Sequence, residues 1–137
     1  MAVLCGARTS RASIAPEESH LHGQVDIEWP SRRSLSDELA VILSGPIAEM
    51  IYRSEPMHPG LVAEWSQDWM QAWSLARPHA ATDTRCLEML EQIVARLHRT
   101  LSQDQYWAAI SAVQDLLLAH EEIDHEVIVY EVNAWLR

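Results

Sequence analysis

From Ser34 onward apolar residues recur at intervals of three and four, whereas between Gln24 and Trp29 they alternate with polar ones. The first spacing is that of a helix with one buried face and the second that of a half-buried strand. In the strand-like part, Val25, Ile27 and Trp29 alternate with Asp26 and Glu28, and Arg11 to Ala15 supplies a second short stretch able to pair with it. Pro16 and Gly23 bracket the connection between the two stretches, and Pro30 closes the second, so a β-hairpin or small β-layer is predicted for residues 1–30.

The helical part, residues 34–137, opens with Ser34 three residues before Asp37, a capping arrangement for a helix N-terminus. Leu35, Leu39, Ile42, Leu43, Ile47, Met50 and Ile51 then carry the pattern to about Arg53. Gly45-Pro46 lies inside this run, where proline removes a backbone hydrogen bond and crowds the preceding turn, so a bend or restart is predicted. Ser54 to Gly60, with Pro56 and Pro59, reads as a loop, and a second helix is predicted from about Leu61 to Arg77, stopping before Pro78. Two further helices follow, from about Asp83 to Arg99 with Thr82 as cap, and from about Gln103 to His120 with Ser102 and Gln105 as a capping box; together they are expected to form a hairpin. The tail from Ile123 to Arg137 reads as a last helix, although its β-branched residues also suit a strand. The expected architecture is one mainly α domain over residues 1–137, a bundle of about four to five helices with a small N-terminal β-hairpin, without internal repeats.

Charge narrows the function classes. Ten basic residues against 20 acidic ones leave a formal net charge of -10, which opposes docking on nucleic acid phosphates or an anionic membrane surface. No window approaches the roughly 20 apolar residues that membrane insertion needs, and the apolar run Met1 to Cys5 is too brief for the core of a signal peptide, so a cytoplasmic location is expected. Cys5 and Cys86 are far apart and read as ordinary reduced thiols.

One carboxylate falls where the pattern does not want it. On the predicted Leu61 to Arg77 helix each residue turns about 100°, which puts Leu75 and Leu61 about 20° to either side of Asp68. Ala72, Trp65, Ala76, Trp69, Val62 and Trp73 continue round the same arc. An ionised carboxylate at the edge of an apolar arc costs several kcal/mol unless a cation or strong donors meet it. Capping of a neighbouring segment, an arginine and a metal ion are the three partners that answer.

Leu39-Ala40-Val41-Ile42-Leu43-Ser44-Gly45-Pro46-Ile47-Ala48-Glu49 resembles the Leu-Ala-Gly-x-x-Ala-Glu segment of FtsH-type zinc metallopeptidases. Asp68-Trp69-Met70-Gln71-Ala72-Trp73-Ser74-Leu75-Ala76 looks like that family's Asp-Leu-x-x-Ala-Thr-x-x-Ala helix, at a compatible separation. The resemblance extends loosely over the following helices and rests on Gly45, Ala48, Glu49, Asp68, Ala72 and Ala76, while Trp69 and Trp73 replace smaller family residues. It implies that Asp68 is the third protein ligand of a catalytic zinc, that the substrate is a polypeptide, and that the chain self-associates, since such peptidases form rings. Glu49 either supports the site through hydrogen bonds or is a solvated helix residue.

Such an enzyme also needs His-Glu-x-x-His, because residues four apart on a helix aim both imidazoles the same way and the intervening Glu serves as general base. This sequence lacks it. In His120-Glu121-Glu122-Ile123-Asp124-His125 the histidines are five apart, about 140° round a helix. His20 and His22 could share a strand face, and His58, His79 and His98 read as isolated surface residues. Ala2 to Arg8 looks like the trailing end of the family's motif-bearing helix, and Arg11 to Ile14 resembles the strand after it. The expectation is therefore a misassigned start at Met1 or a lost catalytic helix. No Gly-x-x-x-x-Gly-Lys-Ser/Thr phosphate loop is present, so ATP binding by this chain is not expected. Two readings stand: a zinc endopeptidase domain complete only with upstream residues, or a non-catalytic helical module binding a protein partner. A Trp65, Trp69 and Trp73 stripe would serve the second reading unless it is core. For residues 1–137 alone, weak or no zinc binding and no proteolysis are expected.

Overall fold

The computed structural model describes residues 1–14, 23–54 and 58–136. Ala15, Pro16, His20, His22, Pro56 and Arg137, each named above, lie outside the described residues. The described chain is mainly α with a small β element, as its patterning predicts: β1 (Arg8–Ser13), β2 (Gln24–Glu28), α1 (Leu35–Arg53), α2 (Ser66–Ala76), α3 (Asp83–Leu101), α4 (Asp104–His120), β3 (Glu122–Ile123) and α5 (His125–Leu136). Its contacts gather into two compact units, one made of Met1 with Arg33–Ser102 and the other of Ala2–Arg32 with Gln103–Arg137.

The first unit packs α1, α2 and α3 against one another. Helix α1 starts where the Ser34 hydroxyl accepts the Asp37 N–H at 3.0 Å, while Ser34 Oγ donates to the Asp37 carboxylate at 2.7 Å. Contrary to a restart, α1 runs through Gly45-Pro46 unbroken. An interior proline costs a helix about 3 kcal/mol, and burial of Leu39, Leu43, Pro46 and Ile47 on the inner side of α1 offsets it. Helix α3 starts under the Thr82 hydroxyl, which accepts the Arg85 N–H, and buries Cys86, Leu90, Ile93, Leu97 and Leu101 along one face.

Helix α2 departs from the expected bounds. Pro59–Leu61 and Ala63–Trp65 are 3-10 turns, extended Val62 separates them, and the α-helix begins at Ser66. The His58 ring causes the first of these turns by accepting the Gly60 N–H at 3.1 Å. The C-terminal end conforms better: Ala76 is the last residue of α2, and Pro78 lies in another 3-10 turn.

The second unit is built on a sheet of order β2-β1-β3 with both pairings antiparallel. Thr9 pairs with Ile27 and Ala12 with Val25, the register shifting between Thr9 and Arg11. Ala12 also pairs with Ile123 of β3, so the tail begins as a strand and becomes helical at His125. Asp124 caps that helix, its carboxylate accepting the Val127 N–H at 3.1 Å. Ala12, Ile123 and Ile128 form the core, with Val3, Val113, Leu116, Leu117, Val127 and Val132 packed around them. The expected capping box at Ser102 and Gln105 is not formed: the cap position is Gln103, whose side chain does not cap the helix. Within this unit α4 packs with α5 and β3. Among the described residues no helix is long and apolar enough to cross a membrane.

Candidate functional site

The two stretches that carry the family resemblance lie on α1 and α2, which pack together in the first unit. Glu49, about four turns into α1, is half-buried and tied to its neighbours. Its Oε2 accepts the indole N–H of Trp65 at 2.7 Å, and its other oxygen pairs with Arg53 one turn on. Arg53 in turn lies over the Trp65 ring, 5.8 Å from its centre, and 3.8 Å from the Glu64 carboxylate. Trp65 is only 3% exposed, and a buried indole N–H needs an acceptor, which Glu49 supplies. The tryptophan stripe is thus core at Trp65, with Trp69 and Trp73 half-buried.

Asp68 lies in the first turn of α2, where free backbone N–H groups and the helix dipole favour a carboxylate. It is half-buried, and desolvation raises its pKa above the ordinary aspartate value. Neither a capping bond nor an arginine meets it: the Asp68 carboxylate forms no hydrogen bond or ion pair with another described residue. The apolar arc around it is also shorter than the sequence implies. Because α2 starts at Ser66, Leu61 does not share its wheel and is 80% exposed, while Ala72 and Ala76 are fully buried.

Beside Asp68, Trp69 meets the edge of the His58 ring, the centres 4.7 Å apart. Gly60 fits beneath both rings: a Cβ there would stand 3.1 Å from Trp69 Nε1 and 3.2 Å from His58 Nδ1. His58 is therefore no isolated surface residue. Since its Nδ1 accepts the Gly60 N–H, the neutral ring carries its proton on Nε2, the atom 3.8 Å from Glu91 of α3. That tautomer leaves Nε2 without the lone pair a metal ligand needs. His79 and His98 are exposed, as read from the sequence. His120 and His125 fall on different helices, and the His125 Nδ1 accepts the Thr9 N–H at 3.3 Å.

A catalytic zinc takes three protein ligands, and among the described residues no group of three or more His, Cys, Asp or Glu side chains is placed to hold a metal. Asp68 offers one carboxylate. Cys86, the buried thiol, is closed in the core of α3, where desolvation raises its pKa and keeps it protonated.

Compared with known proteins, the chain matches no family model and no curated protein.

The Glu49-Trp65-Arg53 cluster had one visible sign in the sequence, the four-residue spacing of Glu49 and Arg53. The Thr9 to His125 contact had none, since it joins opposite ends of the chain.

Proposed function

We propose that this chain carries the helical scaffold of a zinc endopeptidase domain of the FtsH type, and that residues 1–137 do not cleave peptides on their own. The observation that supports the reading is Asp68, a half-buried and desolvated carboxylate without a partner among the described residues, on the helix that bears the family-like sequence. A lone carboxylate does not retain a catalytic zinc, so no hydrolytic step is assigned to residues of this chain. The acidic charge agrees with a cytoplasmic protein that acts on or binds polypeptides and avoids nucleic acid.

A second reading, a non-catalytic module that binds a protein partner, is favoured by the exposure of Leu118, Tyr130 and Trp135 in α4 and α5. One experiment separates the two. Zinc content and cleavage of an unstructured polypeptide are measured for residues 1–137 and for the native protein from its source, whose N-terminus is sequenced in the same sample. The proposal expects little zinc and no cleavage from residues 1–137, and about one zinc per chain with chelator-sensitive cleavage from a native chain that includes His-Glu-x-x-His. Chelator-sensitive cleavage by residues 1–137 would overturn the proposed inactivity. A native protein that begins at Met1, holds no zinc and cleaves nothing would favour the second reading.

A further inference from the structure

We draw no further inference here: the strongest candidate, the apolar side of strand β2, where Val25 pairs with buried Ala12 yet remains 53% exposed, carries nothing because nothing in the structure shows what covers it.

Discussion

Removing the Trp65 indole donor tests whether Glu49 is a structural acceptor or a bystander. Trp65→Phe deletes the N–H that reaches Glu49 at 2.7 Å together with part of the buried ring. A hydrogen bond to a charged acceptor contributes about 1.5–3 kcal/mol. The Glu49 side chain is 39% exposed, so solvent screening brings the hydrogen bond's share of the loss down to about 1–1.5 kcal/mol, and the lost ring volume adds to it. Glu49→Ala acts from the other side, leaving the indole N–H buried without an acceptor at a cost of about 1–3 kcal/mol. Because Glu49 also pairs with Arg53, the single variants mix effects, and the informative quantity is the coupling between them. Urea denaturation of the parent, both single variants and the double variant, followed by far-UV circular dichroism, yields that coupling. About 1 kcal/mol is expected, with faster exchange of the Trp65 indole proton in Glu49→Ala. A coupling below about 0.3 kcal/mol would show that the contact stabilises nothing and would refute the argument.

Three further outcomes are expected. Glu121→Gly should stabilise the second unit by about 0.5–1 kcal/mol, because Glu121 closes α4 at φ 63, a conformation glycine adopts without strain; a lower melting temperature would contradict this. Gly60→Ala should destabilise the first unit by about 1–3 kcal/mol, since the added methyl meets the Trp69 and His58 rings; an unchanged melt would mean that the rings give way freely. Asp68→Asn tests desolvation through pH. The raised pKa of Asp68 means that folding disfavours its charged form, so the penalty is absent at acidic pH, where both states are protonated, and grows as pH rises through the folded value. The variant should gain stability relative to the parent between about pH 3 and pH 7, with a net change at neutral pH within about 0.5 kcal/mol because the first-turn dipole interaction is lost. A relative loss over that interval, read from urea midpoints, would overturn the assignment.

Helix positions were legible where local chemistry sets them. The Ser34 and Thr82 caps lie at the expected residues because a hydroxyl ahead of an apolar repeat satisfies backbone donors regardless of distant packing. The 3-10 turn at Pro59–Leu61 was not legible, because the His58 ring takes the Gly60 N–H, a competition that apolar periodicity does not register. Proline at position 46 does not force a restart for a related reason: burial along the inner side of α1, a tertiary effect, holds the helix through it. At the candidate site the sequence singled out Asp68 as unusual, and the structure finds it desolvated and unpaired among the described residues. The role of Glu49 was hidden, because its partner Trp65 reaches it only when α2 packs on α1.

The pairing of β1 with β3 imposes an order on biosynthesis. Ala12 and Ile123 meet across roughly 110 residues of chain, a closure that costs an unstructured linker about 4 kcal/mol in entropy. The segment between them includes Arg33–Ser102, whose three helices leave the ribosome before β3 does. Early folding of those helices would shorten the loop that the sheet must close. Until the last residues emerge, β1 has only β2 to pair with and α5 is missing from the core, so a stalled or truncated chain would present one finished unit and one open sheet edge to the quality-control machinery of the cell.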